Sequence, residues 1–501
     1  MSYRQSDILE KGLCDYLISG EGEIPISSLL NALNDGRDAD GIDGVSYVSD
    51  SGSHISEPYV GKGTPPSPYS EDYFAALNGR IAYIETSRGC PYSCAYCLSG
   101  RCDGMRFFDI DRVLGEITRL ASSGTRTVKF IDRTFNADRA RAAVIIRHIL
   151  SERQDGRIPH GVEFHFEIEP CLLDEQLFEL LATAPAGLFR VEVGIQSFNS
   201  DTLAAINRRS DLELTEKNIR RLIAPGNLHV HADLIAGLPY EDMSNFAKGF
   251  NRAYALRPDA LQLGFLKLLY GSPMRSDPER YPCVFSEKAP YEVVSTPWIS
   301  ASELETLKYT ERAFDLLYNS GRFRRSLDFL DRVSGLDPFT TFRDFGEYIK
   351  CRDVSGLDAL TDRYMEFFSG LSGDPAAFRD TVLLDRILKN SSDVIPKGLR
   401  IDDPLRKKSK QYAKKYNKIK NDCRFTVEKL CVANKYIVVN YSDDDLLPQG
   451  NGAADIYGSE DNGSSDKLNK RLSYCKAMYC GTGYYTGYKN EYKYEIFSLE
   501  D

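Results

Sequence analysis

The sequence predicts an α/β protein built round a parallel sheet, and two patterns carry that expectation. Between about residues 80 and 270, short apolar runs alternate six times with amphipathic stretches. A tight group of cysteines, Cys90-Pro-Tyr-Ser-Cys94-Ala-Tyr-Cys97, follows directly on the first of those runs. Parallel strands joined by helices need right-handed crossovers, so the repeats read as successive βα units of either an open sheet or a barrel. In barrels of this type chemistry gathers at the C-terminal ends of the strands, which is where the cysteines stand.

The elements follow in order. Strands are expected at 81–86, 127–131, 162–168, 189–194, 230–235 and 260–266. Helices are expected between them at 112–122, 139–151, 174–182, 215–224 and 244–256. Gly124 closes the first helix and Pro225-Gly226 the fourth, because neither residue pair continues a helix well. Residues 285–395 turn helical, with Ser302-Glu303-Leu304-Glu305 as a capping box and Leu304, Leu307, Phe314 and Leu317 on one side until Gly321.

Composition narrows the class. At 501 residues there is room for about two to four domains. Hydrophobic residues make up 42% and charged residues 27%, the balance of a globular protein. A formal charge of −10 argues against general attraction to nucleic acid or an anionic membrane. No run of about 18 apolar residues reads as a membrane span. The N-terminus lacks the apolar core of a signal peptide, and the expected location is cytoplasmic. In a reducing compartment the crowding of Cys90, Cys94, Cys97 and Cys102 points to metal or redox chemistry rather than disulfides. The scattered Cys14, Cys171, Cys283, Cys351, Cys423 and Cys431 are expected as small buried hydrophobes.

Three thiolates spaced C-x3-C-x2-C on one loop can hold three corners of an iron–sulfur cube and leave the fourth iron open. Alternatively, Cys102 completes a closed four-thiolate zinc site or a fully ligated electron-transfer cluster. The cysteine spacing, with Tyr96 before the last cysteine and a strand before the first, resembles the signature of the radical S-adenosylmethionine (SAM) superfamily. The downstream segments FIDRTFN, FHFEIEP, GIQSFN with Leu203 and Asn207-Arg208, DLIAGLPYE and LQLGFLKLLYGSPM are similar to that family in the same order. The resemblance implies a partial (β/α)6 TIM-like barrel holding a [4Fe–4S] cluster on Cys90, Cys94 and Cys97. It implies SAM beside the cluster, with Tyr96 against the adenine. Asp132 becomes a candidate for the SAM amino group, although the usual Gly-Gly-Glu stretch is absent there. Glu167 or Glu169 becomes a candidate for the ribose; Gln196, Ser197 and Arg208 for the methionine and ribose, Arg208 suiting a carboxylate; and Gly237 for close backbone approach.

IETSRGCPYSCAYCLSG together with the later segments looks like a bacterial family of B12-binding-domain-containing radical SAM proteins with a C-terminal region of unknown function. Residues 1–35 resemble only the closing piece of a cobalamin-binding Rossmann-like domain. The preceding strands and the D-x-H-x-x-G loop are missing, and His54 reads as an exposed loop residue. The resemblance therefore does not extend cobalamin binding to this chain alone, and an N-terminally shortened member or a separate cobalamin-bearing polypeptide is expected. The remaining divisions are a linker at 36–78, the radical SAM core at 79–284, a helical domain at 285–395, a basic helix and strand at 396–442, and a disordered tail at 443–501. Within them, 406–420 holds eight basic residues, 435–441 reads as a strand, and Cys475 and Cys480 lie in a Tyr/Gly-rich segment.

The expected function is reductive cleavage of SAM to a 5′-deoxyadenosyl radical that abstracts hydrogen from a small-molecule or macromolecular substrate, with methyl transfer as one subtype. An external donor such as flavodoxin or ferredoxin supplies the electron. A methylthiotransferase would add three N-terminal cysteines and a C-terminal RNA-binding barrel, which are not visible. A non-catalytic iron–sulfur or zinc protein with a closed four-cysteine site is the reading from another class.

Overall fold

The computed structural model describes residues 3–49, 52–99, 104–389, 396–399, 438–441, 472–478 and 494–498. The chain divides into two compact units, Met1–Leu304 and Glu305–Asp501.

The first unit opens with α1 (Gln5–Glu10), β1 (Tyr16–Ile18), α2 (Glu23–Asn34), β2 (Val45–Ser49) and β3 (Gly52–His54). The three strands pair antiparallel in the order β1-β2-β3. His54 is exposed as expected, but it lies on a strand and not a loop, with its ring 5.1 Å from that of Tyr47. The stretch expected as a linker thus contains β2 and β3, and after them α3 (Glu71–Ala75).

The six expected strands all form. They are β4 (Ile81–Ile84), then, beyond the small pair β5 (Ser87–Arg88) and β6 (Arg106–Phe107), β7 (Thr127–Phe130), β8 (Glu163–Ile168), β9 (Phe189–Gln196), β10 (His229–Ala236) and β11 (Ala260–Phe265). They make one parallel sheet ordered β11-β10-β9-β8-β7-β4, each strand beside its predecessor. The connecting helices are α4 (Ile110–Ser122), α5 (Arg139–Gln154), α6 (Glu175–Ala182), α7 (Ser200–Ala205), α8 (Leu212–Ile223) and α9 (Met243–Ala255), with α10 (Pro273–Ser276) after β11. This is the sheet of a partial (β/α)6 barrel.

Local sequence explains the regularity. Asp109, Asp138, Asp174, Asp211 and Asp242 cap α4, α5, α6, α8 and α9, each carboxylate accepting from a first-turn N–H at 2.8–3.0 Å. Losing one such cap costs about 1 kcal/mol. Along β9, Phe189, Val191, Val193 and Ile195 are buried, while Arg190, Glu192, Gly194 and Gln196 alternate on the other face. Along β10, Val230, Ala232, Leu234 and Ala236 alternate in the same way with His229, His231, Asp233 and Ile235. One face is therefore the apolar core and the opposite face carries charge, unlike the branched aliphatic filling of a closed barrel. The rings of Phe130, Phe135 and Phe166 pack together with centroids 4.3–5.3 Å apart.

After β12 (Val284–Phe285) and β13 (Val293–Ser295) comes α11 (Ala301–Phe314). Its capping box lies two residues before the expected one. Ser300 N–H donates to Glu303 at 2.8 Å and Glu303 N–H to Ser300 Oγ at 3.3 Å, because the chain is already helical at Ala301. Leu304, Leu307, Phe314 and Leu317 are all buried as expected. The second unit continues with α12 (Arg324–Val333), α13 (Pro338–Ile349), α14 (Leu357–Phe368) and α15 (Pro375–Lys389). Asp385 of α15 is buried and accepts from the N–H groups of Arg325 and Ser326 at 3.1 and 2.8 Å, satisfying the start of α12.

In the region expected to be disordered, β15 (Leu472–Met478) and β16 (Tyr494–Ser498) pair antiparallel, and β14 (Val438–Tyr441) completes that sheet. The alternating apolar and polar side chains of LSYCKAM and YEIFS suit strands. The basic run 406–420, the segment 443–470, Cys102, Cys423, Cys431 and Cys480 lie outside the described residues. Cys351 is exposed at the end of α13 rather than packed, while Cys14, Cys171 and Cys283 are half-buried.

Candidate active site

The cysteine loop leaves the sheet just beyond β4 and is fixed by backbone bonds to later segments. Ala95 N–H donates to the Ile206 carbonyl at 2.9 Å, and the Ala95 carbonyl accepts from Met274 N–H at 3.0 Å. The Asn207 side-chain amide donates to Ser93 O at 3.1 Å, with Asn207 itself in the left-handed region at φ 56°. Within the loop, Cys97 N–H donates to Cys94 O at 3.0 Å and Ser99 N–H to Cys97 Sγ at 3.4 Å. Cys90 Sγ lies 3.4 Å from Thr134 Oγ1 on the β7 side.

Cys90, Cys94 and Cys97 line one cavity of about 210 Å³. The sequence also pointed to five of its other walls: Tyr96, Glu167, Glu169, Gln196 and Arg208. Arg208 is its electrostatic centre. Its guanidinium donates to Glu169 at 2.9 Å and to the Gly194 carbonyl at 2.5 Å, close to Cys94. Burial pushes the Cys94 thiol up, and Arg208 opposes that push. Burial also pushes the Tyr96 phenol up, so it stays neutral beside Cys94. Gln196 ends β9 at φ 70°, a strained conformation for a residue with a Cβ. Gly194 makes room for it, since a Cβ there would stand 2.2 Å from Gln196 Nε2.

Three candidates do not line the cavity. The buried Asp132 carboxylate is taken up by Thr86 N–H at 2.7 Å, Ser87 N–H at 3.1 Å and the Thr86 hydroxyl, tying the end of β7 to the start of the cysteine loop. Ser197 is buried and donates to Glu241 at 2.5 Å, bracing the turn after β10. Gly237 has φ +85° and packs on Val293, which a Cβ would meet at 2.7 Å. Asp132 and Ser197 therefore act on the scaffold of the site, and Gly237 on the packing beneath it.

Several lining residues were missed from sequence: Tyr92, Arg133, Thr134, Glu192 and Asp233. Cross-strand register brings Glu167 opposite Glu192, Glu192 opposite His231, and Gly194 opposite Asp233. His165 Nε2 lies 3.0 Å from Glu192, and this partner, with Lys129 at 3.9 Å, holds the Glu192 carboxyl down at about 2. For Asp233 the pull of Lys129 and Arg190 is weaker than the opposing push. Burial, with Glu192 and Glu167 nearby, pushes its carboxyl up to about 8. Its Oδ1 lies 3.3 Å from His231 Nε2 but out of hydrogen-bonding alignment, and is left without a hydrogen bond. Burial holds His231 down at about 4, hence neutral. Burial and Glu192 likewise push Glu167 up. Asn136 supports the rim from below. It exchanges two hydrogen bonds of 2.9 Å with the backbone of Glu169.

The donors suit a cluster and a small cationic ligand. Three free thiols face one cavity, and polar atoms of Asp233 and Arg208 are buried there without hydrogen-bond partners. Among the described residues, no three His, Cys, Asp or Glu side chains are gathered as ligands of a single ion.

Residues 84–252 match the Radical SAM superfamily, and residues 279–440 match a family described as protein of unknown function DUF4080. The chain is 25% identical over 385 residues to the 2-(S-pantetheinyl)-carbapenam-3-carboxylate methyltransferase of Streptantibioticus cattleyicolor, covering 71% of this chain and 54% of that one. It is 28% identical to the cobalamin-dependent radical SAM methyltransferase TokK of Streptomyces tokunonensis over 47% of this chain and 36% of that one. The chain thus spans about half of the first relative's length and about a third of the second's. In fold it is similar to the cobalamin-dependent SAM radical enzyme OxsB, with a TM-score of 0.51 at 14% identity over 80% of this chain and 68% of that one. Among the described residues no helix is long and apolar enough to cross a membrane. The barrel region of the chain thus matches the radical SAM superfamily and is followed by a region that matches DUF4080.

Proposed function

We propose that this chain binds a [4Fe–4S] cluster on Cys90, Cys94 and Cys97 with SAM beside it, and initiates a reaction by taking a hydrogen atom from a bound substrate. The observation that carries the reading is the meeting of three thiols, the Arg208–Glu169 pair and the Asp233 carboxylate, its Oδ1 without a hydrogen bond, in one cavity. When bound, the cluster supplies one electron that splits SAM into methionine and a 5′-deoxyadenosyl radical, which becomes 5′-deoxyadenosine on gaining the substrate hydrogen.

The chain's own residues bind, orient and exclude water. Arg208 is suited to the SAM carboxylate, and its charge favours the thiolate form of Cys94. Glu167 and Asp233 are suited to the ammonium and sulfonium charges or to ribose hydroxyls, and among the described residues neither forms an ion pair with a lysine or arginine. Gln196 offers an amide to the ribose, and Tyr96 offers a flat wall to the adenine. Free thiols and an oxygen-sensitive group fit a cytoplasmic setting with a flavodoxin- or ferredoxin-type electron donor.

The test is anaerobic reconstitution with iron and sulfide, followed by reduction with dithionite in the presence of SAM. A reduced-cluster paramagnetic resonance signal that changes on adding SAM, with 5′-deoxyadenosine released, supports the reading. A cluster indifferent to SAM, or zinc without iron, overturns it. Cys102→Ala separates the two cluster types: a three-cysteine site keeps its iron, and a closed four-cysteine site loses it. Methyl transfer is the activity named for two similar proteins. Repeating the substrate search with cobalamin added and omitted tests it here.

A further inference from the structure

The neck of the cysteine loop is gripped from outside the barrel. β5 and β6 pair antiparallel over two positions, Ser87 with Phe107 and Arg88 with Arg106. Just inside this neck Gly89, at φ +96°, is pressed against Gly104, whose carbonyl oxygen a Cβ would meet at 2.2 Å. Cys90 follows immediately. Two arginines directly opposite each other on so short a ladder repel, and the ladder has few hydrogen bonds to resist them.

The counter-charge comes from the segment between β1 and α2. One Glu21 oxygen accepts from both arginines, at 2.5 Å from Arg88 and 2.5 Å from Arg106. Glu23 accepts from another guanidinium nitrogen of Arg88, and Glu85 accepts from Arg88 at 2.9–3.0 Å. The Arg88 and Glu21 side chains are only 21% and 19% exposed, so water screens them weakly. Burial pushes the Glu21 carboxyl up, but the two guanidiniums outweigh it and hold it below the usual range. The contact extends along the backbone. Arg106 also donates to the Gly61 carbonyl, and Glu21 N–H donates to the Tyr59 carbonyl at 2.9 Å.

We infer that Glu21 and Glu23 are positioning residues for the cysteine loop: they neutralise the Arg88–Arg106 neck and so fix where Cys90 leaves the sheet. This rests on Cys90, Cys94 and Cys97 being the cluster ligands. It gives the N-terminal segment a part in cluster retention that needs no cofactor of its own.

The test compares the full chain with the E21Q/E23Q double variant and with E71Q. Glu71 pairs with Arg119 in the same unit but away from the neck, and its side chain is 84% exposed. The first readout is the rate at which a chelator removes iron from the reconstituted protein. The double variant should release iron about ten-fold faster and E71Q at the wild-type rate, since one or two kcal/mol corresponds to a factor of about 5–30. The second readout is amide hydrogen exchange of residues 89–99 in cluster-free protein. Exchange should quicken there in E21Q/E23Q while α4 and α5 keep their protection. Wild-type behaviour of the double variant in both readouts overturns the inference, as does loss of protection throughout the barrel, which would mean a general folding role. If the wild-type chain assembles no cluster, the functional reading fails, and the exchange comparison still decides whether Glu21 and Glu23 hold the loop.

Discussion

Replacing Asp233 by asparagine should stabilise the cluster-free protein at neutral and alkaline pH while weakening SAM binding. The carboxyl titrates near pH 8 in the folded chain, against an ordinary value of 3.8, because it is buried and faces Glu192 and Glu167. The folded state therefore keeps a proton that the unfolded chain gives up above about pH 4. The unfolded state binds fewer protons throughout that window, so stability falls as pH rises from about 4 to about 8 and levels off above. The whole shift corresponds to about 6 kcal/mol. The side chain is 19% exposed, and solvent and relaxation reduce the realised penalty to about 2–3 kcal/mol.

D233N removes the titration and keeps nearly the same shape. Its thermal midpoint should match wild type at pH 4 and exceed it by about 5 °C or more at pH 8, since 1 kcal/mol moves a unit of this size by about 2–4 °C. The assay is thermal unfolding of cluster-free protein across pH 4–9, followed in the signal of the first unit. An advantage independent of pH would refute the argument, because it would show that the variant acts through packing and not through the charge. In the reconstituted protein the same variant should bind SAM at least about ten-fold more weakly, measured by equilibrium dialysis under anaerobic conditions.

Two further substitutions test the scaffold of the cavity. Gly194→Ala places a methyl 2.2 Å from Gln196 Nε2, so Gln196 must swing away. SAM affinity should fall about ten-fold with cluster content unchanged, and unaltered affinity would remove Gln196 from the binding set. Ser197→Ala deprives the buried Glu241, pushed up to about 7 by burial, of the hydroxyl that partly offsets that push. Its carboxyl should rise further and stability drop by about 1–3 kcal/mol above pH 7, with a smaller loss at pH 5 where Glu241 is protonated in either protein. Denaturant midpoints at the two pH values check this.

The strands were legible because alternation is a local signal. Phe189, Val191 and Val193 against Arg190 and Glu192 announce a strand with two unlike faces, whatever lies around it. That period names the face but not the depth, so it does not set Asp233 apart from His229 and His231. The cross-strand neighbours of Asp233 are Gly194, which has no side chain to pair with it, and Gln262, so register supplies it no cation. Asp132 shows a different limit. It stands at a strand end where a ligand contact is expected, but its partners Thr86 and Ser87 lie 46 and 45 residues earlier, and nothing in the local sequence reveals that they consume it. The capping box shows the finest limit. Two Ser-x-x-Glu frames overlap at Ser300–Glu305, and only the start of the helix chooses between them.

Charge also bears on which occupant the cavity favours. A [4Fe–4S] core carrying two positive charges on three thiolates has a net negative charge, and a fourth thiolate makes it more negative still. The walls already hold Glu167, Glu192 and Asp233 beyond the Glu169–Arg208 pair, with Glu192 offset by His165 and Lys129 and with Arg133 as a further cation. A closed four-thiolate cluster would add its charge to Glu167 and Asp233, whose burial and like-charged neighbours already outweigh the pull of Arg133, Lys129 and Arg190. A three-thiolate cluster accompanied by SAM would bring an ammonium and a sulfonium against one carboxylate, and Arg208 is suited to that carboxylate. On the proposed function, the strain stored at Asp233 would be relieved by the cationic ligand and not by the cluster. Titrating cluster-loaded protein with SAM should consequently lower the apparent pKa of this carboxyl, and SAM should protect wild type against unfolding more strongly than it protects D233N at pH 8.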